Sequence, residues 1–352
     1  MRSQASLIPA TLIVGPSWVG DMVIAQALFK LLKANEPDRA LDVLAPAWSL
    51  PIVARMPEIR RGIASETGHG EVGLVKRWRI AKSLGNQRYD RAIVLPRSFK
   101  SALIPWFARI PKRSGFRGES RFGLINDVRA FDKTILDQTV KRFTALGVES
   151  GQSLPPVLNP ELSTDIERQR EIVDTLSLDT RRPVIAMMPG AEYGPAKCWP
   201  LDHFAELARQ LGVAGYAIWI MGSDKDSVAG QFIAEQSSAL NLCGKTSLED
   251  VIDLLGLCEQ AVSNDSGLMH IAAAVGIHVH GIYGSSSPGF TPPLTERCDV
   301  HYLDLPCSPC FERECPLGHL NCLRELTPGA LLKPVQRASA QNGPIDENIS
   351  KV

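Results

Sequence analysis

Short apolar runs alternate with longer amphipathic stretches along most of this chain. The apolar run at 11–14 is followed by a glycine-containing turn, and residues 22–32 then carry a helical pattern. The second half repeats this order, with apolar runs at 183–188 and 216–221 on either side of a helical pattern at 201–211. Strands that alternate with helices are typical of parallel βαβ units. The two series therefore predict an α/β protein with two Rossmann-like domains.

Prolines mark the boundary between the two series. Pro155, Pro156 and Pro160 interrupt regular structure, and a charged helix is predicted for residues 163–176. After Pro334 the sequence is polar and poor in aromatic residues, which is typical of disorder. The predicted segments are an N-terminal domain at 1–160, a linker at 161–182, a C-terminal domain at 183–337 and a disordered tail at 338–352.

The charge is divided unevenly between the two halves. The 352 residues carry no formal net charge, but residues 1–150 hold 24 Lys and Arg against 13 Asp and Glu, and the remainder hold 14 against 25. A basic first half suits an anionic partner such as a membrane surface, a phosphorylated lipid or a nucleic acid. An uneven scatter of solvated charge is the alternative.

Nothing in the apolar pattern indicates insertion into a membrane. The sequence contains no uninterrupted run of about 18 apolar residues, and its first residues lack a signal-peptide pattern. We therefore expect a cytoplasmic location.

The segment at 264–270, Asn-Asp-Ser-Gly-Leu-Met-His, follows an apolar run and opens a helix rich in small residues. A turn of Asp265, Ser266 and Gly267 there presents backbone N–H groups at a helix N-terminus, where phosphate and other anions bind. His270, one turn into the helix, is placed to reach the same anion. The pattern predicts an anion-binding site.

The loop at 189–200 connects the first strand of the second series to its helix. Gly190 allows the backbone to approach a ligand closely, and Lys197 offers a mobile positive charge for phosphate. A solvated loop lysine is the alternative. Because ligands bind at the carboxyl ends of the strands in such sheets, we favour phosphate binding together with the turn at 265–267. Trp199 and Pro200 are predicted to be structural.

Two further carboxylates form an Asp-x-Asp pattern at Asp224 and Asp226, which is a weak indication of metal binding. The pair follows Ser223, where a helix cap is expected. An aspartate is expected to cap a helix at this place, so we interpret the pair as capping residues or as contacts to a ribose hydroxyl, in preference to metal ligands.

In the first half, the turn at 15–21 has no G-x-G-x-x-G fingerprint, and the chain has no Walker lysine motif. The lack of these motifs argues against an NAD-binding or a P-loop protein. Asp21 follows a glycine at the start of a helix, so it is either an N-cap or a general base, and both roles are compatible.

Two basic loops follow later strands of the first half. Arg97 and Lys100 lie in the loop at 95–101, and Arg117 and Arg121 lie in the loop at 115–121. Such loops suit a phosphorylated or carboxylated acceptor. Ordinary surface arginines are the alternative.

Several of these segments together resemble a known family. The segments at 15–22, 189–197 and 264–270 are similar to those of the ADP-heptose:lipopolysaccharide heptosyltransferases of glycosyltransferase family 9, in the form found in heptosyltransferase II. The segments at 97–103 and 284–288, with Gly118 and Glu119, also fit. The resemblance covers roughly residues 10–335.

The resemblance implies a GT-B fold, in which two Rossmann-like domains face each other across a cleft. It implies an inverting transfer of heptose from ADP-heptose to the first heptose of the lipopolysaccharide inner core, with no metal or other cofactor needed for catalysis. The implied acceptor is heptosyl-Kdo2-lipid A, so the enzyme would work at the anionic cytoplasmic face of the inner membrane, with no nucleic-acid partner.

The resemblance also assigns roles to individual residues. Asp21 would be the general base, and Lys197 with the N–H groups of Ser266 and Gly267 would hold the diphosphate. His270 would bond a phosphate oxygen or set the turn. The implied donor-binding set is Gly190, Lys197, Ser223, Asp224, Asp265, Ser266, Gly267 and His270. The implied acceptor-binding set is Ser17, Trp18, Arg97, Lys100, Arg117 and Arg121.

One position departs from the family pattern. Cys198 stands where the family pattern predicts arginine, so a second cation near the phosphates is missing from this loop. We expect weaker donor binding than in relatives, with activity retained, and an Arg at position 198 to lower the Michaelis constant for the donor.

Four of the eight cysteines are clustered, at Cys307, Cys310, Cys315 and Cys322. In a cytoplasmic protein, disulfides are disfavoured and four thiolates suit a structural zinc ion, with an iron–sulfur cluster as a weaker variant. Reduced thiols without a metal are the alternative.

Other functions compete with heptosyl transfer to the first heptose. One alternative within the family is an enzyme that adds the heptose at the first or the third position of the core, and not the one at the second. A GT-B-like sugar-nucleotide epimerase or hydrolase would not need a basic domain that faces a glycolipid. A non-catalytic binding protein is disfavoured, because both Asp21 and Lys197 are present.

Overall fold

The computed structural model describes residues 9–65 and 72–342. The chain forms two compact units. The first comprises Met1–Ser163 with Gly289–Thr291, and the second comprises Thr164–Pro288 with Pro292–Val352. The division falls inside the segment predicted as a linker.

The first unit is built on a parallel six-stranded sheet in the order β3-β2-β1-β4-β5-β6. Its strands are β1 Ala10–Val14, β2 Ala40–Pro46, β3 Arg61–Ser65, β4 Arg91–Val94, β5 Lys112–Phe116 and β6 Asp127–Arg129. Its helices are α1 Val19–Asn35, α2 Leu50–Ala54, α3 Leu74–Leu84, α4 Leu103–Phe107 and α5 Thr139–Ala145. Three short 3₁₀ turns lie at Ala47–Ser49, Gly85–Gln87 and Phe99–Ala102.

The second unit repeats this plan, with a parallel sheet in the order β12-β11-β10-β7-β8-β9. Its strands are β7 Val184–Met188, β8 Ala217–Ile220, β9 Leu240–Asn241, β10 Gln260–Asn264, β11 His278–Ile282 and β12 Cys298–His301. Its helices are α6 Ile166–Leu176, α7 Leu201–Val213, α8 Ser227–Glu235, α9 Leu248–Leu255, α10 Gly267–Val275, α11 Asn321–Arg324 and α12 Pro328–Asn342. Short 3₁₀ turns lie at Pro195–Lys197 and Asp224–Asp226.

The central strands are buried along their whole length. Every residue of β1 and of β7 is buried. Parallel sheets with both faces covered read as continuous apolar runs, which is why the sequence pattern found these strands. Each fully buried Leu, Ile, Val or Met side chain stabilises the fold by about 1.5–3 kcal/mol relative to exposure. The cores of the two units therefore fix the strand ends from which the loops emerge.

The two predicted Rossmann-like domains are confirmed by both sheets. The disordered tail predicted from residue 338 is wrong for its first part, because α12 continues through Asn342. Ala338 is buried, and the Gln260 side chain donates to Ser339 Oγ, so apolar and polar contacts hold this end of the helix. Residues 343–352 lie outside the described residues.

Each sheet reverses its direction of winding at one point. β1 lies between β2 and β4, and β7 lies between β8 and β10. Crevices at the carboxyl ends of strands beside such a point bind ligands in open α/β sheets. The loops that follow β1 and β4 in the first unit, and β7 and β10 in the second, are thus the expected binding loops. Within residues 9–65 and 72–342, none of the helices has the length and apolar character needed to cross a bilayer.

Candidate functional site

The loop after β7 is tied at both ends to the last residue of β10. Asn264 Nδ2 donates to the carbonyl of Pro189 at 2.6 Å, and Asn264 Oδ1 accepts from the N–H of Trp199 at 3.0 Å. Asn264 is fully buried, so these bonds are shielded from water. The amide therefore fixes where Lys197 stands relative to the turn after β10. Sequence reasoning quoted Asn264 in the motif without giving it this role.

Lys197 and Asp265, both predicted as donor-binding residues, form an ion pair. Lys197 Nζ lies 2.5 Å from Asp265 Oδ2, and the side chains are 17% and 4% exposed. The ammonium keeps a small solvent-facing part, while the carboxylate is almost completely covered. A partly desolvated ammonium held by a buried counter-charge is a fixed positive point beside the N-terminus of α10.

The start of α10 has the geometry of an anion site. Ser266 is its N-cap in an extended conformation, and within the described residues its side chain caps no N–H of the first turn. The hydroxyls of Ser285 and Ser286, just beyond the end of β11, are buried and have no hydrogen-bond partner among those residues. Buried polar groups without partners point to a missing ligand or water. Lys197, the N-terminus of α10 and these two serines all lie in segments that follow the carboxyl ends of strands of this sheet.

His270 is buried beside this pair. Burial lowers the pKa of its imidazole to about 4, with Asp265 opposing and Lys197 reinforcing the shift. The ring is therefore neutral at physiological pH. His270 can offer a hydrogen bond to an anion, but it cannot add a charge.

A second cation lies near the loop, and sequence reasoning missed it. The ring of Tyr193 has Lys197 Nζ at 5.1 Å and the guanidinium carbon of Arg313 at 5.2 Å from its centre. Arg313 belongs to the cysteine-rich segment, whose backbone bonds to the loop through Ala196 N and Arg313 O at 3.0 Å. Only folding brings Arg313 here, since 115 positions separate it from Cys198. A guanidinium from another segment of the chain therefore lies over the same tyrosine as Lys197.

Two of the residues predicted to bind the donor, Gly190 and Ser223, make contacts within the chain that also account for their residue types. A side chain at Gly190 would place its Cβ 2.3 Å from Asp226 Oδ1, so glycine is needed there for contact within the chain. Ser223 caps the 3₁₀ turn, since its N–H and hydroxyl both bond Asp226 Oδ2 at 2.8 Å. Ser223 is the N-cap of this turn, and Asp226, at its third position, bonds back to Ser223. Asp224 is the exposed first residue of that turn.

In the first unit, Asp21 lies in the first turn of α1, which begins at Val19, three residues before the predicted start. A carboxylate there is stabilised by the positive end of the helix dipole. The preceding turn presents Trp18, which is 45% exposed and is the N-cap of α1. The carbonyl of Ser17 accepts from Trp48 Nε1 at 3.1 Å, which holds this turn against the loop after β2.

The two basic loops of the first unit bind each other through Gly118 and Glu119. The N–H of Glu119 donates to the carbonyl of Arg97 at 3.1 Å, and Glu119 Oε2 accepts from the N–H of Phe99 at 2.8 Å. A Cβ at position 118 would lie 2.0 Å from that carbonyl oxygen. Only glycine permits this approach, so Gly118 is needed for the two loops to pack in this way.

Two arginine side chains lie over one aromatic ring beside these loops. The guanidinium carbons of Arg97 and Arg142 lie 4.9 and 5.1 Å from the centre of the Phe131 ring. Burial and the Arg97 charge lower the pKa of Arg142. Sequence reasoning missed Arg142, because it lies on α5, far along the chain from the predicted loops. The cluster is a strong field for an anionic group.

Arg121 was predicted to bind the acceptor, and the structure assigns it a different role. Its side chain is buried, and its guanidinium donates to the carbonyls of Pro96, at 2.7 Å, and of Phe116. These bonds hold the two basic loops together. Arg117 is exposed, with its guanidinium carbon 5.7 Å from the centre of the Phe122 ring, and Lys100 is half-buried.

The four clustered cysteines line a small cavity with His319. Backbone N–H bonds, from Leu320 above all, lower the pKa of the Cys315 thiol, and burial raises that of Cys322. In the part of the chain that the structure describes, however, the side chains arranged to hold a metal ion are His278, His280 and Asp299. The cysteines do not form such a group, so the predicted structural zinc at this cluster is not supported.

A family model for glycosyltransferase family 9, described as heptosyltransferase, matches residues 77–321. This match spans more than half of the chain, and it includes the second-unit site and the basic loops of the first unit. The chain belongs to glycosyltransferase family 9.

Relatives of known name agree with this family assignment. The chain is 43% identical over 344 residues to lipopolysaccharide heptosyltransferase 2 of Salmonella typhimurium, covering 94% of this chain and 99% of that protein. It is 45% identical over 304 residues to lipooligosaccharide heptosyltransferase 2 of Haemophilus influenzae, covering 82% and 87%. The structure of Escherichia coli ADP-heptose lps heptosyltransferase II matches with a TM-score of 0.85 at 42% identity, covering 95% and 99%. This family-9 glycosyltransferase therefore has the GT-B fold, as predicted.

Proposed function

We propose that this enzyme transfers L-glycero-D-manno-heptose from ADP-heptose to the first heptose of the lipopolysaccharide inner core, with inversion at the anomeric carbon. The observation that carries the proposal is the 43% identity to a heptosyltransferase 2 over nearly the full length of both chains. The reaction needs no metal or other cofactor, because protein groups supply the charge that the leaving group requires.

In the proposed reaction, the second unit binds the donor. Lys197, Arg313 and the N–H groups of Ser266 and Gly267 hold the diphosphate, and the hydroxyls of Ser285 and Ser286 bond its oxygens or those of the sugar. Negative charge grows on the diphosphate as the bond from the anomeric carbon to its oxygen breaks. Fixed donors directed at that charge lower the barrier, because they need no reorganisation during the reaction.

The acceptor hydroxyl is the nucleophile in this proposal. Asp21 accepts its proton as the hydroxyl oxygen forms a bond to the anomeric carbon, and ADP leaves from the opposite face. A positioned base of this kind contributes roughly 10²–10⁴-fold to the rate. Ser17, Trp18, Arg97, Lys100 and Arg117 contact the acceptor, whose phosphate groups match the positive charge of the first unit.

The acceptor is a glycolipid, heptosyl-Kdo2-lipid A, so we place the enzyme peripherally at the cytoplasmic face of the inner membrane. Helix α3 supports this placement. Leu74, Val75 and Trp78 are 53%, 62% and 52% exposed, and the helix carries four basic residues and no acidic ones. Exposed apolar side chains beside basic ones are typical of helices that lie in an anionic membrane interface.

The acceptor series tests this function. We expect transfer from ADP-heptose to an acceptor that bears one heptose, and none to acceptors that bear zero or two. Transfer to either of the other acceptors would show that the enzyme adds the first or the third heptose instead. Release of ADP without any acceptor would identify a hydrolase instead.

The proposed base is tested by Asp21→Asn. We expect turnover to fall by about 10²–10⁴-fold while donor binding is unchanged. Asp38→Asn, an exposed carboxylate after α1, is the matched control and keeps full activity. Undiminished turnover in Asp21→Asn removes the proposed base.

A further inference from the structure

Three side chains of the metal-ligand type, with a further histidine beside them, project from one face of the second sheet. His278 and His280 belong to β11, and Asp299 and His301 belong to β12. Side chains two positions apart in a strand share a face, and the parallel register pairs His280 with Asp299. The cluster sits before the carboxyl end of β11, whereas the proposed donor loops begin after that end. It is therefore separate from the transferase site.

The donor atoms are close together. His278 Nε2 lies 2.9 Å from Asp299 Oδ2, and His280 Nδ1 lies 3.6 Å from the same oxygen. His301 Nε2 lies 3.4 Å from His280 Nδ1. Bonds of about 2.0–2.1 Å to a tetrahedral zinc ion place neighbouring ligand atoms about 3.3–3.4 Å apart. The observed separations bracket this spacing.

The tautomer of His280 is fixed by Gln260. The amide nitrogen of Gln260 donates to the carbonyl of Val335 at 3.0 Å and to Ser339 Oγ, so the amide oxygen must face the ring. That oxygen lies 2.7 Å from His280 Nε2, which therefore carries the proton. His280 Nδ1 is left as a lone pair directed at Asp299 and His301. A ligand imidazole whose other nitrogen donates to an oxygen acceptor is the usual arrangement around a bound metal.

The inward carboxylate oxygen, Asp299 Oδ2, bonds His278 Nε2 and can be reached by a cation from solvent. His280 is completely buried, whereas His278 and Asp299 are 15% and 28% exposed, which provides an entry path from solvent. Arg337 Nη2 lies 3.4 Å from the other oxygen, Asp299 Oδ1, and its own side chain is 65% exposed. Asp299 Oδ2 and His280 Nδ1 each have a histidine partner, His278 and His301, and a cation shared by the two atoms replaces these hydrogen bonds.

We propose that His278, His280 and Asp299 bind one divalent transition-metal ion of the zinc class. Imidazole and carboxylate are the ligand types that zinc accepts. Gln260, Val335 and Ser339 connect the site to helix α12, so the ion stabilises the packing of α12 on β11 and β12. It takes no part in heptosyl transfer.

Calorimetric titration of zinc chloride into chelator-treated, full-length protein tests the site. We expect one equivalent to bind and to raise the melting temperature, because a ligand of the native state stabilises it by mass action. His278→Asn and Asp299→Asn, at partly exposed positions, should each weaken binding by at least about 100-fold, and Gln260→Leu by about 10–100-fold.

Cobalt chloride distinguishes this site from the cysteine cluster even if a variant misfolds. The wild-type complex should show d–d bands without thiolate charge-transfer absorption, and Cys310→Ser, the matched control, should bind as well as wild type. Thiolate absorption, loss of binding in Cys310→Ser, full binding in His278→Asn, or no binding at all would overturn the proposal.

Discussion

Lys197 Nζ lies 2.5 Å from Asp265 Oδ2, and this ion pair joins the loop after β7 to the turn after β10. Both side chains are largely removed from water, so each charge depends on the other. Removing one partner of a buried pair leaves an uncompensated charge, which costs about 3–5 kcal/mol of stability. The pair therefore serves the fold as well as the proposed diphosphate site.

Because of this dual role, stability and donor binding should respond differently to Lys197→Met and to its combination with Asp265→Asn. We expect Lys197→Met to lower the free energy of unfolding by about 3–5 kcal/mol and the double variant to recover part of that loss. Donor kcat/KM should stay low in the double variant, since the cation is still absent. Chemical denaturation and steady-state kinetics measure the two effects.

Recovery of donor kcat/KM in the double variant would contradict a direct role for Lys197 in binding the diphosphate. Arg209→Gln on α7, an exposed arginine paired with Glu206, is the control for loss of a cation and should change neither quantity.

Arg313 is expected to supply the second cation of the donor site. Arg313→Gln should raise the Michaelis constant for ADP-heptose by about 10-fold, the loss of roughly one charge-assisted hydrogen bond. Stability should be unchanged, because Arg313 is exposed. An unaltered Michaelis constant for ADP-heptose would show that Arg313 does not contact the donor, and would leave Lys197 as the cation of the proposed site.

Gly118→Ala should disturb the acceptor loops. The added Cβ would lie 2.0 Å from the carbonyl oxygen of Arg97, so the two loops must separate, at about 1–3 kcal/mol. We expect lower stability and a higher Michaelis constant for the acceptor, with the donor constant unchanged. Gly85→Ala, where a Cβ meets nothing within 4 Å, is the control and should be neutral or slightly stabilising.

His270 makes stability depend on pH in a defined window. Its folded pKa of about 4 lies below the ordinary value of 6.5, so between these values the unfolded state binds a proton that the native state does not. This contribution to stability is complete above pH 6.5 and is lost as the pH falls towards 4, at about 1.4 kcal/mol per pH unit.

Denaturant unfolding of wild type and His270→Gln across pH 4–8 measures this contribution. The variant should show a shallower loss of stability below pH 6.5, and the two curves should run parallel above it. Equal slopes below pH 6.5 would mean that the imidazole is accessible to protons in the native state.

Helix α3 is expected to bind anionic membranes. Trp78→Ala combined with Arg79→Gln should weaken binding to vesicles that contain anionic lipid, with about 1 kcal/mol from the basic residue alone. High salt should weaken wild-type binding in the same assay. Val213→Ala on α7, which removes an exposed apolar side chain from the second unit, should bind as wild type does. Unchanged binding by the α3 variant would place the membrane contact elsewhere.

The sequence by itself determined the two parallel sheets, the turn at 265–267 and Lys197 as its partner. These features are local, because continuous apolar runs mark buried parallel strands and glycine-containing turns mark their ends. The carboxyl ends of parallel strands lie at one edge of the sheet, which is why Lys197 could be expected near the turn at 265–267; the ion pair between Lys197 and Asp265 was not predicted.

Only the tertiary structure decided where Arg121, Arg313 and the histidines of β11 and β12 lie and what they contact. The sequence does not reveal whether a guanidinium faces solvent or donates to carbonyls, so neither the contacts of Arg121 nor the position of Arg313 over Tyr193 was predicted. The clustered cysteines are close in sequence yet form no metal-binding group among the described residues. His280 and Asp299 are 19 positions apart and meet because two strands pair in register. Long-range pairing sets which side chains share a site, and no local pattern contains that information.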